Sequence, residues 1–235
     1  MSKISERVDD SATFYNRSFL GVDYKLAEYG FRTLKPFFKG ETALELGPAS
    51  GYMTKDLVKE FKVLHLVEGS KLLIDQIPAY ENVTKFNSLF EEFETELQYD
   101  TIIMSHVLEH IYDPLIVLKK IFKWLKRDGV FIIAVPNANS LHRLVAVEMG
   151  LLPDQYTLNQ RDNELGHYRV YDLVTLKEHA ETAGFSVEQS GGYFLKPISN
   201  GQIEQDWNES MIEGFFKVGK HFQNNCAEIY VICTK

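Results

Sequence analysis

Apolar residues in this chain follow two patterns, short continuous runs and longer stretches in which they recur every three or four residues. Short apolar and β-branched runs predict buried strands, whereas the three-to-four spacing predicts amphipathic helices. The predicted strands are Ala43–Leu46, Val63–Val67, Val83–Phe86, Tyr99–Ser105, Val130–Val135, Phe185–Gln189 and Ala227–Cys233. The predicted helices are Val22–Phe38, Thr54–Phe61, Lys71–Tyr80, Leu115–Lys126, Leu141–Met149, Leu173–Ala183 and Trp207–Phe222. Because strands and helices alternate, they predict a parallel, doubly wound α/β sheet that binds ligands at the carboxyl ends of its strands.

The turn after the first predicted strand, in the sequence ALELGPASGY, contains Gly47 and Gly51. Glycines remove Cβ atoms where a ligand must approach the backbone, and the start of the next helix offers unpaired N–H groups. The turn therefore indicates a ligand site, although a simple strand-to-helix connection would also explain it. The dinucleotide fingerprint G-x-G-x-x-G is disfavoured, because Ala49 replaces its second glycine and Met53 or Thr54 its third.

Polar side chains also stand at the ends of the second and third predicted strands. Glu68, followed by Gly69, lies about twenty residues past the glycine turn, where this kind of fold accepts hydrogen bonds from a ribose diol. A helix-capping role would explain Glu68 as well. Asn87 and Ser88 suit the edge of a purine, or they cap a loop.

The alternation breaks between Leu141 and Arg169, where a short helix is followed by the polar stretch QYTLNQRDNELGHYRVYD. An insertion of this length is long for a connection, which predicts a functional cap over the strand ends. Arg143, Arg161 and Arg169 carry guanidinium groups that suit a substrate phosphate or carboxylate, and Tyr168 lies beside Arg169 in sequence. Surface solvation would explain these arginines too.

The amino-acid composition excludes some of the functions that an α/β protein of this size could have. Hydrophobic residues at 45% and charged residues at 25% are ordinary for a globular protein with a sizeable core. A formal net charge of -8 argues against sequence-independent binding to the phosphate backbone of a nucleic acid, so no nucleic acid partner is expected. Cys226 and Cys233 fit neither a metal knuckle nor a disulfide framework, which predicts a reduced, cytoplasmic protein. No secretion signal and no apolar run of ~18 residues is present, so no membrane partner is expected.

Several segments together resemble, in order and spacing, the class I S-adenosylmethionine-dependent methyltransferases. The segments are ALELGPASG, LVEGS, FNSLF, YDTIIMSHVLEHIYDP and LKRDGVFIIAVPN. The resemblance covers roughly residues 41–137, and GHYRVYDLVTLKEHAETAGF is similar to the continuation in the small-molecule branch. It implies a Rossmann-like, doubly wound sheet of seven strands, mostly parallel, whose antiparallel last strand inserts as a hairpin beside the sixth. It also implies S-adenosylmethionine as cofactor and S-adenosylhomocysteine as product.

The resemblance implies which residues hold that cofactor. Those around its methionine part would be Glu45, Gly47, Pro48, Ala49, Gly51, Ser105 and His106. Those at its nucleoside would be Glu68 and Gly69 for the ribose and Asn87, Ser88 and Leu89 for the adenine. Because Ala49 stands where the family often has glycine, we expect a slightly stiffer loop with binding retained. Tyr15, in an aromatic segment near the start, is predicted to belong to a lid that closes over the cofactor.

We therefore predict a single methyltransferase domain over residues 1–235, either monomeric or homodimeric. Its parts are N-terminal helices and a lid (1–38), a cofactor-binding core (39–137), a substrate-cap insertion (138–172) and a C-terminal part that completes the sheet (173–235).

His106, Glu109 and His110 form the pattern H-x-x-E-H, whose spacing would put three side chains on one helical face. The pattern matches an inverted zinc-peptidase motif, which is disfavoured because it directly follows a buried strand. In methyltransferases of the ubiquinone-pathway and small-RNA 2′-O-methylating kinds, a similar cluster binds a divalent ion, but its first residue is an acid. We expect packing and hydrogen bonding within the domain, and no metal. His106 or His167 is the candidate general base, since histidine titrates near neutrality.

The function that these features predict is methyl transfer to an oxygen or nitrogen of a small metabolite, nucleotide- or sugar-linked. Arg143, Tyr168 and Arg169 would bind that substrate. The alternatives are an RNA 2′-O-methyltransferase, a metal-assisted O-methyltransferase of the ubiquinone-pathway kind, and a catalytically silent regulatory protein that binds the cofactor.

Overall fold

The computed structural model of the chain describes residues 21–235. Its strands are Thr42–Leu46 (β1), Val63–Glu68 (β2), Val83–Asn87 (β3), Tyr99–Ser105 (β4), Leu125–Pro136 (β5), Ser186–Tyr193 (β6) and Glu228–Thr234 (β7). They form one seven-stranded sheet in the order β3-β2-β1-β4-β5-β7-β6. β7 runs antiparallel to both β5 and β6, and the other neighbouring pairs are parallel. The predicted Rossmann-like sheet with an inserted antiparallel last strand is confirmed.

Alpha-helices flank this sheet. Within the described part of the chain they are Val22–Leu34 (α1), Thr54–Leu57 (α2), Lys71–Ile74 (α3), Pro114–Trp124 (α4), Leu141–Glu148 (α5), Gln160–Leu165 (α6), Leu173–Thr182 (α7), Asn200–Asp206 (α8) and Glu209–Val218 (α9). None of them is long and apolar enough to span a lipid bilayer.

Both faces of the sheet are covered by apolar layers. Successive residues of a strand point to opposite faces, so Phe131 and Ile132 of β5 belong to different layers. Phe131 shares a buried cluster with Leu118 of α4 and Leu176 of α7, whereas Ile132 shares one with Leu26 of α1. Burial on both faces explains why the strands appear in the sequence as continuous apolar runs.

The strand order changes direction at β1 and β4, which lie side by side although two strands separate them in sequence. Leu46, at the end of β1, is in register with Val67 of β2 and Met104 of β4. The turns that follow β1 and β4 therefore meet at one edge of the sheet. In open α/β sheets this switch point is where ligands bind.

Several predicted helices differ in length from the observed ones. The helices expected over Thr54–Phe61 and Lys71–Tyr80 are shorter in the structure, where they correspond to α2 and α3. Each is followed by turns in which an amide donates a hydrogen bond to the carbonyl three residues earlier. The helix expected over Trp207–Phe222 does not span that range, because α8 ends before Trp207 and α9 begins at Glu209. The side chain of Asn208 accepts a hydrogen bond from the Met211 amide, which fixes a new helix start there.

Candidate functional site

A cavity of about 490 Å³ lies where β1, β4 and β5 end and β7 begins. One side is formed by Glu45, Gly47, Ser105, His106, Asn137 and Glu228. The other side is formed by α1, by residues of the predicted cap insertion, and by the segment that leads into α8. The cavity therefore occupies the sheet edge at which the sequence predicts ligand binding.

The glycine turn after β1 is held in a conformation that side chains disfavour. Gly47 has φ +69°, and a Cβ atom there would lie 2.3 Å from Cγ2 of Val107. Its amide donates to the carbonyl of Val67 at 2.9 Å. Ala49 is also left-handed, with φ +48°, which costs an alanine about 1–2 kcal/mol relative to glycine.

Two buried carboxylates support the turn. Glu45 accepts a hydrogen bond of 2.6 Å from Oγ1 of Thr54, and burial raises the pKa of its carboxyl to about 7. Glu68, at the end of β2, accepts from the amide of Ser70 at 2.9 Å and from the amide of Ala49 at 3.2 Å. Burial also raises the pKa of Glu68. A carboxylate offers about four acceptor positions, so Glu68 keeps capacity for a ligand.

The residues predicted for the adenine are fixed against the end of β2. Asn87 is in register with Glu68, and its amide nitrogen donates to the carbonyls of Glu68 and Gly69 at 2.9 Å and 3.0 Å. The amide of Ser88 donates to the same Glu68 carbonyl at 3.1 Å. These residues and Leu89 do not line the cavity, and neither do the predicted cofactor residues Gly51, Glu68 and Gly69. The assignment of Asn87, Ser88 and Leu89 to the adenine stays a prediction.

The H-x-x-E-H segment is not one helical face. His106 has φ +57°, and only Leu108–His110 form a single 3-10 turn. Left-handed backbone is strained for histidine and is often found at functional sites. Nε2 of His106 lies 3.4 Å from Oε2 of Glu228, and its Nδ1 lies 4.0 Å from Oε1 of Glu109. The imidazole is therefore flanked by two carboxylates.

Glu109 is the most unusual of these groups. It is 1% exposed, and neither carboxylate oxygen has a hydrogen-bond partner among the described residues. Burial raises the pKa of Glu109, and the nearby histidines oppose that shift. Ligand atoms of Glu109, His110 and His167 all lie within 4.8 Å of one another. In the described part of the chain, the set that could hold a metal ion thus contains His167 in place of the predicted His106.

The cap insertion is organised by its own ion pair. The Arg143 guanidinium donates to Oδ2 of Asp162 at 3.1 Å and to the carbonyls of Gln155 and Thr157. Asp162 also lies 3.3 Å from Nδ1 of His167, and its pKa is lowered to about 2 because hydrogen bonds and positive neighbours outweigh burial. Arg143 and His167 line the cavity, yet the hydrogen bonds of the Arg143 guanidinium are made to other residues of the cap.

Tyr168 and Arg169 do not line the cavity. The Arg169 guanidinium donates to the carbonyls of Ile111 and Tyr112, and the ring of Tyr168 packs edge-on against Tyr112. The geometry gives their predicted substrate contact no support, and it stays a prediction. Tyr15 lies outside the described residues.

Several cavity residues were not predicted from the sequence, among them Ser140, His142, Lys196 and Glu228. No motif surrounds Lys196 or His142. The position of Glu228 follows from the insertion of β7 beside β5, where it is in register with Pro136. That pairing could have been used to place Glu228 once an antiparallel last strand was expected.

A family model described as a methyltransferase domain matches residues 20–190. The chain belongs to this methyltransferase family. The methyltransferase is 29% identical over 138 residues to a malonyl-[acyl-carrier protein] O-methyltransferase of Bacillus cereus, covering 55% of its own length and 51% of the relative. It is 27% identical over 160 residues to a probable S-adenosylmethionine-dependent methyltransferase of Mycolicibacterium smegmatis, and the match covers 66% of this chain and 56% of the relative. The chain spans about half the length of these curated relatives.

The fold of the methyltransferase is also that of solved class I enzymes. It superposes on an S-adenosylmethionine-dependent methyltransferase of Thermotoga maritima with a TM-score of 0.65, at 15% identity, over 97% of this chain and 99% of the other. S-adenosylmethionine is the cofactor of this methyltransferase. The residues present fit that group, because a cavity lined by the buried carboxylates of Glu45, Glu109 and Glu228 suits a ligand that carries a sulfonium and an ammonium.

Proposed function

We propose that this methyltransferase methylates an oxygen or nitrogen atom of a small polar metabolite, nucleotide- or sugar-linked. The observation that carries the proposal is the cavity of about 490 Å³ beside Gly47, whose lining includes the buried charged side chains of Glu109, Lys196 and Glu228. Its volume is that of a small-molecule pocket, and the net charge of -8 does not favour an RNA substrate.

The cofactor residues of the proposal are those at the ends of the first four strands. Glu45, Gly47, Pro48, Ala49 and Gly51 would surround the methionine part of S-adenosylmethionine, with Ser105 and His106 at its edge. Glu68 and Gly69 would meet the ribose, and Asn87, Ser88 and Leu89 the adenine. In support, Glu68 and Ala49 are joined by a hydrogen bond of 3.2 Å, so the ribose acid and the methionine turn form one unit.

When bound, S-adenosylmethionine supplies a sulfonium methyl group for in-line displacement by the acceptor. The chain must then align the acceptor, exclude water and accept a proton. His106 is the better placed base, because its side chain is 31% exposed, lines the cavity and lies between the carboxylates of Glu228 and Glu109. His167 is the other candidate, held by Asp162.

The proposed architecture is a single domain in which residues 138–172 form the substrate cap. Support comes from the Arg143–Asp162 pair, which ties two parts of the insertion together beside the cavity. We propose a cytoplasmic location as well, since both cysteines are free and buried.

A panel of metabolites assayed with methyl-labelled S-adenosylmethionine tests the proposal. Label transferred to a small acceptor supports it. Tight cofactor binding with no transfer to any acceptor would instead favour a catalytically silent regulatory protein.

Metal-assisted transfer is the second candidate function, favoured by the grouping of Glu109, His110 and His167. The contact between Asp162 and Nδ1 of His167 resembles the carboxylate that often orients a metal-binding histidine. Metal analysis of the purified protein and activity after chelation separate the two candidates. Full activity with no bound metal excludes metal assistance.

A further inference from the structure

We propose that the part of the cavity wall formed by Lys196, Ser140 and His142 binds an anionic group of the methyl acceptor, a carboxylate or a phosphate. The inference rests on the proposed function, because it names the class of substrate that the same cavity takes.

Lys196 is buried, and the protein satisfies only part of the hydrogen-bonding capacity of its ammonium group. It lies between β6 and α8, lines the cavity and is 8% exposed. Its ammonium donates to Oδ1 of Asn200 at 2.7 Å, and within residues 21–235 it makes no ion pair within 4.0 Å. An ammonium has three N–H donors, so two remain to be satisfied by a ligand or by water. A buried cation in this condition is costly unless an anion reaches it.

Two of the three acids that interact with Lys196, Asp23 and Asp162, are engaged elsewhere. Asp23 accepts from Arg161 and from Asn200, both at 2.9 Å. Asp162 is occupied by Arg143 and His167. The remaining acid close enough to interact with Lys196 is Glu228, whose Oε2 faces His106 at 3.4 Å.

Ser140 and His142, at the start of α5, add neutral donors to the same wall. Ser140 is fully buried and occupies the N-cap position, yet its hydroxyl makes no capping bond and has no hydrogen-bond partner among the described residues. Nδ1 of His142 is likewise buried without a partner. Burial, with Lys196 and Arg143 nearby, lowers the pKa of His142 to about 2, so its imidazole is neutral.

The two segments are joined directly. The amide of His142 donates to the carbonyl of Lys196 at 3.0 Å, which holds the lysine beside the positive end of α5. An ammonium, a hydroxyl and a neutral imidazole then share one wall, and each has hydrogen-bonding capacity that the protein leaves unused. An anion satisfies the lysine and the hydroxyl together, which a neutral ligand group does only in part.

The test is calorimetric titration of sodium phosphate and of sodium acetate into the full-length protein saturated with S-adenosylhomocysteine, at constant ionic strength. We expect one anion to bind per chain. Lys196→Met should weaken that binding by about tenfold or more, and Ser140→Ala by about threefold. Lys196→Arg should retain part of the affinity. Lys217→Met removes an equally charged but exposed lysine on α9 and should change nothing.

Three results would overturn the inference: no anion binding, equal binding by the wild type and Lys196→Met, or loss of anion binding when S-adenosylhomocysteine is present. The last would mean that this wall holds the carboxylate of the cofactor. If Lys196→Met fails to fold, anion binding by Ser140→Ala and Lys196→Arg tests the inference, and wild-type affinity in both variants would overturn it. Tighter binding of phosphate than acetate identifies a phosphate-bearing acceptor, and the reverse a carboxylate. Failure of S-adenosylhomocysteine to bind would refute the proposed function separately, with anion binding then judged on the unloaded protein.

Discussion

Oε2 of Glu68 accepts a hydrogen bond of 3.2 Å from the backbone amide of Ala49. The contact joins the end of β2 to the left-handed turn after β1, so the carboxylate proposed to bind the ribose also holds the turn. The two halves of the proposed cofactor site are therefore coupled through a single side chain.

Glu68→Ala is expected to weaken S-adenosylhomocysteine binding by about 1.5–3 kcal/mol, the usual loss for a hydrogen bond to a charged group. Calorimetric titration measures this loss. Glu41→Ala, which removes an exposed acid paired with Lys62, serves as the control and should bind normally. Unchanged affinity in Glu68→Ala would remove Glu68 from the ribose.

Gly47→Ala is expected to lower the free energy of unfolding by about 1–3 kcal/mol and to impair cofactor binding. The added Cβ would stand 2.3 Å from Val107 at a φ of +69°. Gly201→Ala is the matched control, because Gly201 lies in α8 with open space around it, and alanine there should stabilise by up to about 1 kcal/mol. Chemical denaturation of both variants tests the pair, and equal effects would argue against a special role of Gly47.

His106→Asn is expected to reduce turnover by about 100- to 10,000-fold, a loss much larger than its effect on cofactor affinity. Asparagine tolerates the left-handed backbone that His106 adopts, so the turn is preserved. His221→Asn, at an exposed histidine, should be fully active. A large loss in His167→Ala with little change in His106→Asn would transfer the role of base to His167.

Glu45 should make stability depend on pH. Burial raises its pKa from 4.5 to about 7, so the folded protein holds the proton to a higher pH than the unfolded chain does. The contribution of Glu45 to stability is therefore greatest below about pH 4.5 and falls as the pH rises to about 7, by about 3 kcal/mol. Glu45→Gln should abolish this dependence. If the free energies of unfolding of the wild type and the variant change with pH in the same way across that range, Glu45 has an ordinary pKa and the prediction is wrong.

Much of the fold could be predicted because its central strands are buried on both faces and so appear as continuous apolar runs, as in the segment that contains Phe131 and Ile132. The antiparallel last strand came from the family resemblance rather than from hydrophobic periodicity. Helix lengths were less accurate, since a capping residue such as Asn208 can start a new helix inside an otherwise periodic stretch.

The candidate site could be predicted where it follows one local motif, as for Gly47 and Ala49. It could not be predicted where distant segments meet. Glu228 approaches His106 through the insertion of β7, and Lys196 joins α5 through a single backbone hydrogen bond. The H-x-x-E-H spacing predicted a helix, but His106 adopts a left-handed conformation directly after β4, and this redirects the side chains that follow.

A crystal structure of the methyltransferase with S-adenosylhomocysteine is the most direct test of the proposed pocket. We expect the ligand beside Gly47, with its ribose hydroxyls on the Glu68 carboxylate and its sulfur facing the cavity at His106. A ligand bound elsewhere, or side chains filling the space between Gly47 and Glu68 in the complex, would contradict it.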